Sequence, residues 1–331
     1  MSDPITWFNH PSGGTPKSAA NFNRITNTTK SYVDSKQNVF NVKDYGAVGN
    51  GSADDTTAIK DAIAASQTPV YTASGAVWGG VVFLPLGEYK VSSTILVPQS
   101  TTLRGQGRDG TWIIAASGFA GPVVRLGDFW SRVEDMKVHC NNVAASTGIM
   151  IDAGQEMSGV FRVEVTQWTL TGIHVKQTAG LLNPQHFAID ECEIYMAGSA
   201  PVEAVGLRVI DVGRAGSIRR VTVNGANRIP PPAGSVAILF DNCPNPGLYE
   251  SHTEQFETGV RLVSSRATTI IGLGCCCNTR TAVEIDATTT LTTCISIVNE
   301  APDLPADGRA IRDNSPGGSA TTSNISAFYS H

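Results

Sequence analysis

From residue 148 onward the chain repeats one short pattern: a small residue, an apolar residue, any residue, then often a second apolar residue. The segments are Gly148-Ile149-Met150-Ile151, Gly172-Ile173-His174-Val175, Gly206-Leu207-Arg208-Val209 and Val236-Ala237-Ile238-Leu239. Gly259-Val260-Arg261-Leu262, Ala282-Val283-Glu284-Ile285 and Ala310-Ile311-Arg312 follow. Their second positions differ by 24, 34, 30, 23, 23 and 28 residues, about 27 per repeat. Alternation with period two sends one set of side chains inward and the other outward. Ile149, Ile173, Leu207, Leu239, Leu262, Ile285 and Ile311 are expected in one continuous core. Met150, His174, Arg208, Ile238, Arg261, Glu284 and Arg312 form the first expected outward row. Asp152, Lys176, Ile210, Phe240, Val263, Asp286 and Asn314 form the second.

Shorter strands lie between these segments, among them Met136–Val138, Phe161–Val163, Phe187–Ile189 and Arg220–Val223. Two or three strands per repeat of this length predict an all-β solenoid, a parallel β-helix. An α/β fold would need helices between the strands, and this half has none in its pattern. The longer intervals place loops at 178–186, 198–203 and 227–234, where they could wall a groove or meet a neighbouring subunit.

The first half reads differently. Residues 11–16 form a Pro/Gly breaker cluster. Beyond it Phe22, Ile25, Thr29, Tyr32 and Lys36 are spaced 3-4-3-4, an a/d pattern over two heptads. This segment is either an amphipathic helix lying on the main domain or a short trimeric stem. Gly49-Asn50-Gly51 is a turn that needs positive φ. Asp54 or Asp55 caps a helix over residues 54–66, whose Ala58, Ile59, Ala62 and Ile63 make one apolar face. Short strands follow at 79–89, 93–97 and 101–107. Gly105-x-Gly107 lacks the third glycine and the helix of a dinucleotide fingerprint.

Three blocks in this half, taken in order, are NVKDYGAVGNGSADDTTAIKDAI, GGVVFLPLGEYKVSSTILVP and TTLRGQGRDGTWI. They resemble the start of the pectate-lyase-like, single-stranded right-handed β-helix family, which includes many phage tailspikes and some glycosidases. The resemblance covers residues 39–115. It implies that residues 54–66 form the helix capping the N-terminal end of a right-handed parallel β-helix at 39–331, and that the protein is a homotrimer. The opening WFNHPSGGTPKSAANFNRI is similar to the N-termini of some phage tail proteins, which makes residues 1–38 a short helical virion-attachment segment. The family's calcium-binding and catalytic motifs match no segment here.

Composition narrows the options. Hydrophobic residues are 41% and charged residues 16%, enough apolar material for a core. The net charge of −5 argues against a nucleic-acid partner. No apolar run approaches 18 residues, so no membrane insertion is expected. The N-terminus has neither a basic n-region nor an apolar h-region, so a signal peptide is not expected. The seven cysteines form no CxxC pair. They are expected to be buried thiols rather than a disulfide framework or a zinc site. No cofactor or metal motif is visible.

Candidate chemistry rests on the outward rows. Asp152, His174, Lys176 and Arg208 are expected to crowd one patch able to contact an acidic sugar, with Trp168 and Tyr195 as nearby aromatic platforms. A uronate lyase could use an Arg or Lys of lowered pKa as base. A glycoside hydrolase needs two carboxyls about 5–9.5 Å apart. Asp152, Glu164, Asp190 and Glu193 are the acid candidates, yet strict alternation keeps Asp190 and Glu193 from sharing a face unless a bulge separates them. The expected roles are three. The chain is a phage tail spike or minor tail protein recognising host cell-surface polysaccharide and meeting other tail proteins through residues 1–38. Alternatively it is a depolymerase, lyase or hydrolase, on the same solenoid. The third is a purely structural tail-tip component. Each puts the protein in the virion, assembled in the host cytoplasm.

Overall fold

The computed structural model describes residues 38–67, 79–127, 129–152, 157–177, 185–201, 203–213, 216–226, 231, 233–276, 281–300, 310–315, 318 and 320–328. The a/d segment and most of the loops at 178–186 and 227–234 lie outside the described residues.

The described residues from Phe40 to Phe328 wind into a parallel β-solenoid. One face is a nine-stranded sheet. Its strands, in stacking order, are Ile95–Val97, Pro122–Leu126, Thr147–Ile151, Thr171–Lys176, Val205–Ile210, Val236–Asp241, Thr258–Val263, Thr281–Ile285 and Ile311–Asp313. All its pairings are parallel, as coils stacked along one axis require. Ile149, Ile173, Leu207, Leu262 and Ile285 are fully buried, and Ile311 packs against the core from its edge. Burying each such side chain is worth about 1.5–3 kcal/mol.

One rung departs from the expected register. Leu207 pairs with Ile238, and Arg208 with Leu239. Ile238 and Phe240 therefore point inward and are fully buried, while Leu239 and Asp241 point outward. The small position of this rung is Ala237, not Val236. A Cβ on Gly206 would lie 2.1 Å from Val223 Cγ1 and 2.9 Å from the Ala237 carbonyl oxygen. The wall opposite leaves room at this row for a hydrogen or a methyl and nothing larger. A slip of one residue exchanges the faces of every side chain in the strand.

The rest of the wall is a seventeen-stranded sheet. It consists of two columns of strands meeting at a corner. The long strands Arg132–His139, Gly159–Trp168 and Thr269–Cys276 run through the corner, and in other coils it separates two strands, as between Ala188–Asp190 and Glu193–Met196. At the corner one residue per coil adopts a positive φ: Asp135, Arg162, Glu191, Arg220, Glu250, Gly272 and Ser296. Each inserts one residue into the alternation and bends the strand, as a bulge does.

Helix α1, Thr56–Ser66, buries Ala58, Ile59, Ala62 and Ile63 against the first coils. The two aspartates before it divide their work. Asp54 Oδ1 accepts the Thr56 N–H at 3.0 Å, and the Ser92 hydroxyl donates to Oδ2 at 2.5 Å. These bonds hold its carboxyl below the usual range. Asp55 occupies the N-cap position but turns away from the helix. Its carboxylate accepts the N–H groups of Val48 at 2.6 Å and Gly49 at 3.0 Å, tying down the turn whose Gly49 and Gly51 have φ of +62° and +73°. No described helix is long and apolar enough to cross a membrane.

Candidate functional site

The sequence-predicted residues fall on two separate faces. On the nine-stranded sheet the outward row runs Met150, His174, Arg208, Leu239, Arg261, Glu284 and Arg312. Lys176 stands beside it, paired with Ile210. Asp152 is not a surface contact: it is 3% exposed, and Arg125 Nε donates to its Oδ1 at 2.8 Å. His174 is held neutral. Burial and the cations Arg208 and Lys176 push its pKa down to about 4. Its Nε2 and the Nε of Arg208 are both buried without a hydrogen-bond partner.

Trp168 is not a platform either. It is fully buried, because the strand Gly159–Trp168 turns inward at its end, after Gln167 takes a positive φ of 57°. Tyr195 does face outward, but on the other sheet. It stands in a row with Thr166 and Asn224, two residues from Glu193.

The seventeen-stranded sheet collects the acids. Glu164 and Glu193 occupy neighbouring rungs of one outward row. Each is tied to a cation: Lys137 Nζ lies 3.1 Å from Glu164, and Arg108 donates to Glu193 Oε1 at 2.6 Å. The Tyr195 hydroxyl donates to Glu193 Oε2 at 2.9 Å. Burial acts to raise the carboxyl's pKa, but the bonds from Arg108 and Tyr195 prevail and hold it below the usual range. Burial and the carboxylate push Tyr195 the other way, to about 12. Asp190 also faces outward, on the strand before the corner. The positive φ of Glu191, 55°, supplies the bulge that lets both Asp190 and Glu193 look out.

The corner adds what alternation alone could not reveal. Its stacked residues alternate in sign: Asp135, Arg162, Glu191, Arg220, Glu250. Arg162 reaches Asp135 at 2.6 Å and Glu134 at 3.7 Å; Arg220 reaches Asp190 at 2.8 Å and Glu191 at 3.2 Å. Arg108, Asp135, Arg162, Glu191, Glu193, Arg220 and Thr222 line a groove of about 450 Å³. A second hollow of about 500 Å³ lies on the far side of Glu193, with Thr166, Tyr195 and Asn224 in its wall. Close by, Lys137 sits 4.2 Å above the ring of Trp112. Trp112 was readable from the alternation of Thr111–Ala115, in which it takes an outward position. The corner arginines were not.

This face offers paired donors and acceptors beside an aromatic ring. Guanidinium N–H groups can donate to sugar hydroxyls, and carboxylates can accept from them. Glu193, whose carboxyl Arg108 and Tyr195 hold below the usual range, is poorly suited to carry the proton of a glycosidase pair.

The family profile described as "Rhamnogalacturonase A/epimerase, pectate lyase-like" matches residues 39–230, more than half of the chain. The chain belongs to this family. Among its relatives, mannuronan C5-epimerase AlgE3 of Azotobacter vinelandii is 39% identical over 93 residues, which are 28% of this chain and 4% of that protein. Solved structures of similar fold include the ORF18 protein of Geobacillus virus E2, with a TM-score of 0.66 and 16% identity over 96% of this chain and 65% of that one. The Dettilon tailspike protein gp208 has a TM-score of 0.65 and 13% identity over 88% of this chain and 63% of that one. At such identities the likeness is one of fold. The resemblance seen in the opening blocks is thus carried through most of the solenoid.

Proposed function

We propose that this chain is a phage tail spike or minor tail protein whose solenoid binds host cell-surface polysaccharide along the corner groove without cleaving it. The observation that carries the reading is the pairing of charge in the groove. Glu193, Asp190, Glu191 and Asp135 each have a cation within 3.2 Å. Paired this way they are ordered hydrogen-bonding groups for a polyol rather than acids or bases in search of a proton. The likeness in fold to a viral protein and to a tailspike supports the setting. Residues 1–38 attach the chain to other tail proteins, and the assembled spike is a homotrimer.

A depolymerase reading draws on one observation: Glu164 and Glu193 are neighbours across one rung, about 4.8 Å along the axis. That is near the separation of about 5–5.5 Å used by retaining glycosidases. Arg108 and Tyr195 hold Glu193 as a carboxylate, so Glu164, 3.1 Å from Lys137, would have to carry the proton that this chemistry needs.

The test presents the full chain with purified capsular, lipopolysaccharide-derived and alginate polysaccharides. Binding is followed by biolayer interferometry while ultraviolet absorbance and reducing ends are recorded. Saturable binding with neither product signal is expected, and Trp112→Ala should weaken it about tenfold or more, a loss of roughly 1.4 kcal/mol. New near-ultraviolet absorbance would establish a lyase, and new reducing ends a hydrolase. Absence of binding to every polymer from a host the particle infects would leave a structural role.

A further inference from the structure

Further along the same outward face, three residues of different chemistry converge. His252 and Glu254 lie on the strand His252–Glu254, two residues apart and therefore on one side. Cys276 ends the strand of the next coil and is the register partner of Glu254. His252 Nε2 is 3.3 Å from Cys276 Sγ and 3.0 Å from Glu254 Oε1. One ligand atom from each of the three lies within 4.8 Å of the others, and all three residues are half-buried. We infer that His252, Glu254 and Cys276 form a zinc(II) site on the surface of the solenoid.

The distances fit. Zinc takes nitrogen at about 2.0–2.1 Å, oxygen at about 2.0–2.2 Å and sulfur at about 2.3 Å in tetrahedral array, so its ligand atoms stand roughly 3.4–3.6 Å apart. The histidine is already within a few tenths of an ångström of that spacing from both partners. The donor set selects the ion. A thiolate excludes calcium and magnesium, and one sulfur, one nitrogen and one oxygen suit zinc.

The surroundings hold the ligands in place. Asn224 Nδ2 donates to Glu254 Oε2 at 2.7 Å and leaves Oε1 to the histidine. Such a partner orients a carboxylate ligand. Beneath the imidazole lies Gly274, the register partner of His252; a Cβ there would come 2.7 Å from Nδ1. A side chain at 274 would push the ring off its position. Cys276 is also the exception among the described thiols. Cys140, Cys192, Cys243, Cys275 and Cys294 are buried in the core, and burial pushes the thiols of Cys192, Cys243, Cys275 and Cys294 up to about 12, which makes them poor ligands. Cys276, one step along the strand, faces the other way. Three protein ligands leave a fourth position for water or for an oxygen of a bound molecule. No sequence motif announces the site because its ligands come from two coils, 24 residues apart.

The experiment uses the full chain, reduced with a phosphine, stripped with chelator and dialysed. Zinc chloride is titrated by calorimetry, and cobalt(II) chloride is added as a spectroscopic probe. We expect one ion per chain, an intense near-ultraviolet thiolate-to-cobalt band, and displacement of cobalt by zinc. Cys276→Ser should abolish the band; His252→Gln and Glu254→Gln should each weaken zinc binding about tenfold or more, and Asn224→Ala about tenfold. Cys277→Ser should bind as wild type. Melting curves of the metal-free variants establish that each is folded, and zinc should raise the melting temperature of the wild type but not of Cys276→Ser. Failure of the wild type to bind zinc, or unchanged binding in folded Cys276→Ser and His252→Gln, overturns the assignment. Loss of binding in Cys277→Ser alone overturns it as well, by moving the ligand one residue along.

Discussion

The patch around His174 on the nine-stranded face and the corner of the seventeen-stranded sheet both stack polar residues on consecutive rungs, and they handle charge in opposite ways. Further along the nine-stranded face Arg261 and Glu284 pair at 2.7 Å as the corner residues do. On the nine-stranded face His174 lies next to Arg208 and near Lys176, so like charges would meet. The face resolves this by withholding the proton: His174 stays neutral, with a pKa pushed down to about 4. The acid that acts on His174, Asp152, is withdrawn into the wall by Arg125. At the corner the signs alternate, and Arg162 and Arg220 are each shared by two carboxylates. Charge there is kept, paired and presented. A stripe of polar letters at the repeat spacing therefore does not by itself mark a binding face. The order of signs within the stripe decides whether its charges survive folding.

The largest effect belongs to Trp168, which the corner face excludes and the core claims. Trp168→Ala should cost about 3–5 kcal/mol of stability, the range for deleting a buried aromatic side chain, measured by chemical denaturation. A variant of normal stability that had lost polysaccharide binding would restore it as a surface platform and break the division between the faces. Arg125→Ala comes next. It removes the cation from a carboxylate that is 3% exposed. The expected loss is about 1–3 kcal/mol, with binding at the corner unchanged.

The nine-stranded face should also show itself through pH. An ordinary histidine titrates near 6.5, and His174 in the fold near 4. Between those values the unfolded chain binds a proton that the folded chain refuses. Stability due to this group is fully present above about pH 6.5 and is lost as the pH falls toward 4. With solvent screening allowed for, the loss is about 1–3 kcal/mol. Melting curves from pH 7.5 to 4 should fall less steeply in Arg208→Gln, where the larger of the two neighbouring cationic influences is gone. His139, whose pKa burial and Lys137 also lower, keeps a remaining slope in that variant. An unchanged slope would mean that Arg208 does not set the protonation of this face.

The inward row was legible because its rule is local. A small residue followed by alternating apolar positions placed Ile149, Ile173, Leu207, Leu262 and Ile285 correctly, and the helix face of Ala58, Ile59, Ala62 and Ile63 with them. It failed at Leu239, where Val236 and Ala237 compete for the small position. Only the opposite wall, Val223 against Gly206, settles which one fits. The corner failed for a different reason. Positive φ is expected of glycine and asparagine, and arginine and glutamate rarely adopt it. Arg162, Glu191 and Arg220 do so because neighbouring coils hold them there, one above another. Nothing in the local sequence of any one coil announces this. Alternation therefore kept Asp190 and Glu193 apart unless a bulge separated them, and nothing in the sequence located that bulge or the groove between their strands.

The smallest effect sharpens the comparison most. Arg220 and Asp190 are 2.8 Å apart, with side chains 43% and 27% exposed. Exposed pairs of this kind contribute about 0.2–1 kcal/mol to stability, because water and salt screen them and two long side chains must be ordered. A double-mutant cycle of Arg220→Ala and Asp190→Ala should give a coupling in that range by chemical denaturation, shrinking at high salt. Polysaccharide binding should respond more strongly. A ligand lying in the groove shields the pair from water, and an unpaired guanidinium or carboxylate beneath it costs about 1–3 kcal/mol. Each single variant should therefore lose more affinity than stability, and the double variant should recover part of the loss because no charge is then left unpaired. If stability and affinity moved by equal amounts, the corner would be a structural ladder holding the coils in register, and the alternation of sign would belong to the fold rather than to the ligand.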